Sequence, residues 1–209
     1  MKVENLISLD YWLRFFAILT GTAVILIPLL GFRHAEARIR GRSSGAAAQL
    51  LRWPMMLTLT TGYVLVGIAL WRPLPITLSP GIHLSILAVG SMLYFPGIAL
   101  YLWGYWTLGR MFGISSGLGA TLYQDHRLIR SGPYRYLRHP MYLAVIMAAF
   151  GALLIFRTSA MVLFSLSSLV VIVRAQREEQ LLADEFGEEW NAYRQEVNGW
   201  LPTLRKRVK

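Results

Sequence analysis

Apolar residues in this chain are gathered into long blocks that are hydrophobic on every side, and the stretches between them hold most of the arginine and lysine. A helix on the surface of a water-soluble domain needs only one apolar stripe, whereas a helix that is apolar all round is solvated by protein or by lipid. Hydrophobic residues make up 55% of the chain and charged residues only 15%, against about 25% charged in soluble domains. With 209 residues in which to bury so much apolar surface, a bilayer is the simplest solvent. The expectation is an all-α polytopic membrane protein forming a single integral membrane domain over residues 1–209, with its polar chemistry concentrated in residues 104–209.

Five blocks are long enough to consider as spans: Leu13 to Phe32, Trp53 to Trp71, Ile82 to Trp103, Met141 to Phe156, and Ser159 to Val173. The second carries a tryptophan at each end, as membrane interfaces favour. Pro96 and Gly97 inside the third predict a distortion. The last two are near the lower length limit of roughly 17 residues and are separated only by Arg157 and Thr158, which predicts a short helical hairpin. The polar segment Arg174 to Lys209 is expected to begin as a cytoplasmic helix. In it Leu182, Phe186, Trp190 and Tyr193 share one face, and Gly187 is the place for an interruption. The first block lacks a basic leader and a small-residue cleavage site, so it reads as a retained span.

The formal net charge is +10. Its placement in the loops argues against nucleic acid as a partner and for membrane topology and lipid headgroups. The first loop, the long connection from Gly109 to His139 and the C-terminal segment are basic, while the second loop has only Arg72. The positive-inside rule then puts the N-terminus outside and the C-terminus in the cytoplasm, as at a bacterial inner membrane. Cysteine is absent, which excludes thiol catalysis and disulfides. The histidines His34, His83, His126 and His139 show no metal-ligand spacing, so no metal site is expected. His83 reads as a boundary or packing residue.

Two polar stretches stand out. Gly132-Pro133-Tyr134-Arg135-Tyr136-Leu137-Arg138-His139-Pro140-Met141-Tyr142 precedes the hairpin. Pro140 is suited to the first helical position, leaving His139 at the N-cap, and Arg135 and Arg138 are suited to a carboxylate or phosphate. Arg174-Ala175-Gln176-Arg177-Glu178-Glu179 lies at the hairpin's exit, where adjacent carboxylates point about 100° apart on a helix. Interfacial anchoring and a solvated helix start account for these residues taken singly. A hairpin, however, brings its two ends together, and a His, Arg and Glu cluster at a membrane boundary is a candidate site.

The order Gly-Pro-Tyr-Arg-Tyr-x-Arg-His-Pro-x-Tyr, apolar hairpin, Glu-Glu-x-x-Leu and Phe-Gly-x-x-Trp-x-x-Tyr resembles the isoprenylcysteine carboxyl methyltransferase and phospholipid methyltransferase superfamily, from Leu108 to Pro202. The resemblance implies an S-adenosylmethionine pocket formed by Tyr134, Arg138, His139, Pro140, Tyr142, Glu178 and Glu179. It also implies a lipid or prenylated acceptor at the inner leaflet, with Arg135, Arg138 and Glu178 as the catalytic candidates. The Leu108-Gly109-Arg110 turn resembles the family's approach to the cofactor region, and Gly117-Leu118-Gly119 reads as a flexible loop. One departure is that Val197-Asn198-Gly199-Trp200 lacks the proline that follows the valine in many members. An isoprenylcysteine carboxyl O-methyltransferase-like activity is the leading expectation. A phospholipid N-methyltransferase, an NADPH-dependent sterol-type reductase and a non-enzymatic membrane scaffold are its rivals. Oligomeric state is not legible in the residues.

Overall fold

The computed structural model describes residues 3–32, 53–109 and 127–203. Their regular elements are α1 (Val3–Phe32), α2 (Trp53–Ala69), α3 (Pro80–Leu108), a short 3-10 turn (Gly132–Arg135), α4 (Pro140–Phe156), α5 (Ser159–Ser168) and α6 (Val170–Glu196). The protein is therefore an all-α polytopic membrane protein. Among the described residues three helical stretches are long and apolar enough to cross a bilayer: Glu4–Ile27, Pro80–Leu108 and Ser159–Glu196. Two shorter apolar helices, Leu57–Ala69 and Pro140–Phe156, accompany them. Large apolar side chains such as Ile18, Leu65 and Met92 are exposed, as lipid-facing residues are.

Two boundaries differ from the sequence-based expectation. α1 begins at Val3 rather than Leu13, so Asp10 lies inside a helix that packs in the bundle. The second arm of the hairpin runs on with little interruption: only Leu169 separates α5 from α6, and the polar C-terminal helix is a continuation of the span. α4 itself is 17 residues, or about 25 Å at 1.5 Å per residue. The expected distortion at Pro96 does not break α3, which stays helical from Pro80 to Leu108.

The structure is organised around the antiparallel pair α3 and α4. Lipid tails are as apolar as leucine, so membrane helices associate through close packing, which small residues permit. Gly90, Gly97 and Gly104 recur every seven residues along α3. A Cβ on Gly97 would lie 2.9 Å from the Ala148 amide nitrogen and 3.0 Å from the Ala144 carbonyl oxygen. One on Gly90 would lie 2.9 Å from Leu154 Cβ, and Gly151 of α4 meets the Tyr94 backbone in the same way. At the far end, a Cβ on Gly104 would lie 2.5 Å from Met141 Cγ, so the glycine row leads to the start of α4.

Polar contacts fasten the remaining helices. The Tyr94 hydroxyl donates to the Ala17 carbonyl at 2.6 Å, tying α3 to α1, and Ser165 donates to the Ala149 carbonyl at 2.9 Å, tying α5 to α4. At one end of the bundle Asp10 of α1 forms an ion pair with Arg14 at 3.0 Å and lies 3.3 Å from His83 and 3.4 Å from Arg157. Arg157 closes the hairpin in the left-handed region, with φ 52° and ψ 48°. Its carbonyl accepts from the Leu74 amide at 2.8 Å, and the Arg72 carbonyl accepts from Ser159 at 3.0 Å. The turn after α2 is thereby laced to the hairpin turn. His83, read from sequence as a boundary or packing residue, is thus one member of a four-residue polar contact.

This packing makes a direct prediction. Gly97→Leu should lower stability by about 1–3 kcal/mol, the usual cost of overpacking, read as a fall in melting temperature in detergent. Gly62→Ala, where an added Cβ meets nothing within 4 Å, should leave the melting temperature unchanged or slightly raised. Equal behaviour of the two variants would remove the glycine row from its organising role.

Candidate functional site

Pro140 takes the first position of α4, buried, where its missing N–H costs no helical hydrogen bond. His139 is the residue before it, and its carbonyl accepts from the Leu143 amide at 3.0 Å. Upstream, Gly132 has φ 56°, and a side chain there would collide with Thr107 near the end of α3. Glycine at this position lets the 3-10 turn dock against α3. The turn delivers Tyr134, Arg138 and His139 to the bundle end opposite the Asp10 contact.

The second arm brings the acidic pair to the same place. Glu179 Oε1 lies 2.7 Å from Arg138 Nη1 and 2.7 Å from His139 Nε2. Glu178 diverges from it, as helical geometry requires, and its Oε2 accepts from the Tyr142 hydroxyl at 2.5 Å. The two carboxylates are thus separately committed, one to a guanidinium and an imidazole, the other to a phenol. His139 is 5% exposed, and the Arg138 and Glu179 side chains are 12% and 21% exposed. The environment is dry enough for charge-assisted hydrogen bonds to count.

Aromatic rings enclose the cluster. Arg138 lies over the Trp190 ring at 5.7 Å, and Arg174 lies over the Tyr142 ring at 5.7 Å. His139 has Tyr142 stacked at 5.7 Å and Trp200 tilted at 5.4 Å. Trp190, Tyr193 and Val197 form a buried group with Leu182 and Phe186 packed on it, the face expected from their spacing. Gly187, with φ 47°, breaks the helical dihedrals within α6. The Tyr193 hydroxyl donates to the Tyr134 carbonyl at 2.6 Å, so the far side of α6 also grips the 3-10 turn. Burial, followed by the charge of Glu178, pushes the Tyr134 phenol well above its ordinary range.

After α6 the chain returns as a strap over residues 197–203. The Asn198 carbonyl accepts from the Arg138 amide at 2.9 Å, and the Gly199 carbonyl accepts from the His139 amide at 3.1 Å. The Asn198 N–H donates to Thr203 Oγ1 at 2.9 Å, a bond that proline at this position could not make. The departure noted at Asn198 is therefore put to use within the strap.

Of the expected site residues, Tyr134, Arg138, His139, Pro140, Tyr142, Glu178 and Glu179 gather at one end of the bundle. Arg135 is exposed and stands outside the Arg138–His139–Glu179 contacts. Arg110, His34, His126, the Gly117-Leu118-Gly119 loop and the basic loop 33–52 lie outside the described residues. Trp200 and the carbonyls of Asn198 and Gly199 were not singled out from sequence. Backbone acceptors carry no side-chain signature, and Trp200 lies outside the recurrent motif. The polar set suits a zwitterionic, hydroxyl-bearing ligand, since guanidinium complements carboxylate and carboxylates complement ammonium and hydroxyl groups. Arg138 Nε and Nη1 are both buried without a hydrogen-bond partner, Nη1 standing in ion-pair distance of Glu179, which fits a ligand oxygen that completes the site.

A family model described as phospholipid methyltransferase matches residues 85–189, just over half of the 209 residues. The matched stretch runs from α3 into α6 and includes Glu178 and Glu179. A Pseudomonas deceptionensis protein named methanethiol S-methyltransferase is 34% identical over 73 residues, covering 35% of this chain and 28% of that protein. The match thus spans less than a third of that relative's length.

Two outcomes are expected from the geometry. Glu179→Ala strips Arg138 of its ion-pair partner and His139 of its hydrogen-bond partner and should lower stability by about 1–3 kcal/mol, measured by thermal unfolding in detergent. Tyr134 supplies a pH signature. Its raised folded pKa means the folded protein keeps a proton that the unfolded chain loses near pH ~10. Stability is unaffected below that pH and falls above it. Tyr134→Phe should flatten this alkaline loss, seen in melting temperatures between about pH 9 and 11.

Proposed function

This chain belongs to the phospholipid methyltransferase family, and from that premise we propose that it is an S-adenosylmethionine-dependent methyltransferase acting on a lipophilic acceptor at the inner leaflet. The carrying observation is the sharing of Glu179 Oε1 by Arg138 and His139, each at 2.7 Å. That contact joins the two family-implied elements into one cradle. When bound, S-adenosylmethionine supplies an electrophilic methyl group on a positively charged sulfonium.

The chain's own residues would bind and align. Arg138 would receive the cofactor carboxylate, its direction set by Glu179 and by the Trp190 ring. Glu178 and Glu179 would take the ammonium and ribose hydroxyls, while Tyr134, Pro140 and Tyr142 shape the wall. Arg135, exposed on the same segment, would meet an anionic acceptor. A carboxylate acceptor is already ionised near neutral pH, so alignment and proximity suffice and no strong general base is required. This favours an isoprenylcysteine carboxyl O-methyltransferase-like reaction. For an amine acceptor, as in a phospholipid N-methyltransferase, Glu178 would receive the proton lost before attack.

A second reading is a small thiol acceptor, favoured by the 34% identity to a protein named for methanethiol S-methylation. The family assignment supports methyl transfer over an NADPH-dependent reduction or a purely structural role. The arginine-rich loops support a C-terminus in the cytoplasm and an N-terminus outside, with the cofactor arriving from the cytoplasm and lipid from the bilayer.

The test is to supply the detergent-purified protein with methyl-tritiated S-adenosylmethionine and membrane extract, prenylcysteine or a small thiol. A base-labile lipid label identifies an ester, a base-stable lipid label an amine, and a volatile neutral label a thioether. Calorimetry should show cofactor binding, weakened at least tenfold by His139→Ala with Glu178→Ala. Absence of any labelled product, or binding that survives the double substitution, would overturn the proposal.

A further inference from the structure

His139 is held by more than its ion pair. Its Nε2 meets Glu179 Oε1 at 2.7 Å, its backbone N–H donates to the Gly199 carbonyl at 3.1 Å, and its ring has Tyr142 at 5.7 Å and Trp200 at 5.4 Å. Gly199 and Trp200 are consecutive residues of the strap. The torsion that turns an imidazole about its Cβ–Cγ bond is broad and soft. One hydrogen bond at Nε2 fixes that nitrogen but leaves the ring plane free to rock. Flat neighbours supply the missing restraint, and aromatic pairs of this kind contribute about 0.5–1.5 kcal/mol.

The strap is built to hold the indole in register. Arg138 and His139 donate to the Asn198 and Gly199 carbonyls, the Thr203 amide donates to the Tyr136 carbonyl at 2.9 Å, and Thr203 Oγ1 accepts from the Asn198 amide at 2.9 Å. Backbone bonds therefore clamp the chain on both sides of Trp200. The next residue, Leu201, is 73% exposed, whereas Trp200 is half-buried with its ring against His139. The family match ends at residue 189, short of the strap.

We infer that Trp200 is a positioning residue that fixes the ring plane of His139, so that the C-terminal strap sets cofactor affinity without contacting the reacting atoms. The inference rests on the reading that the cluster binds S-adenosylmethionine. Trp200→Ala frees the imidazole, and the loss appears as a rise in Kd and in KM for the cofactor, about fivefold, with kcat nearly unchanged. Trp200→Phe keeps a flat ring and restores most of the affinity. In a His139→Ala background Trp200→Ala adds little, because its effect passes through the missing imidazole.

The experiment is a double-substitution cycle on the full chain in detergent, with calorimetric titration of S-adenosylmethionine and melting temperatures for each variant. Equal losses in the two backgrounds, or Trp200→Phe as damaging as Trp200→Ala, would overturn the inference. Carbethoxylation of His139 by diethyl pyrocarbonate, followed by mass spectrometry, gives a cofactor-independent reading. Modification should be several-fold faster in Trp200→Ala, and an unchanged rate also overturns the inference. If the unsubstituted protein does not bind S-adenosylmethionine, the functional reading fails, while the carbethoxylation rate still decides whether Trp200 shields His139.

Discussion

Close approach of α3 and α4 is the constraint from which the rest of the structure follows. The glycines at 90, 97 and 104 let two helices pack with almost no side chain between them, down to backbone atoms of Ala144, Ala148 and Gly151. That contact fixes where α4 begins, and the start of α4 is where His139 sits. Once the histidine is fixed in depth, the second arm has only to carry Glu178 and Glu179 back along the bundle to the same level. The polar cluster is thus located by apolar packing and then completed by charge. This order suits a membrane interior, where van der Waals contact replaces the hydrophobic effect as the force that brings helices together.

Much of this was readable in the residues. Pro140 announces a helix start, and the structure gives it that position with His139 just outside. Adjacent acids on a helix must diverge, and Glu178 and Glu179 take different partners. Gly187 interrupts the helical dihedrals of α6 where its lack of a side chain suggested, and Leu182, Phe186, Trp190 and Tyr193 share a packed face. Each of these is a local rule, settled by a handful of neighbouring residues.

What sequence did not disclose depends on distant partners. An aspartate at position 10 argues against a span beginning before it, because a lone charge is costly in lipid. The helix begins at Val3 because His83 and Arg157, far along the chain, come to that carboxylate. The grip of the strap on Arg138 and His139 is illegible for a different reason, since it runs through carbonyl oxygens that every residue possesses. By residue type alone Arg135 and Arg138 are equally suited to an anion. The 3-10 turn ends at Arg135 and leaves it exposed, and only Arg138 enters the enclosed contact.

The Asp10 contact also bears on the order of biogenesis. Its partners His83 and Arg157 lie 73 and 147 residues downstream, so neither has been synthesised when α1 leaves the ribosome. Arg14, one helical turn away at 3.0 Å, is present from the outset. It can neutralise the carboxylate during membrane insertion, acting as an escort built into the same helix. The later arrival of His83 and then Arg157 converts a transient neutralisation within one helix into a permanent lock among three segments, so the last hairpin to be made is also the one that seals the first.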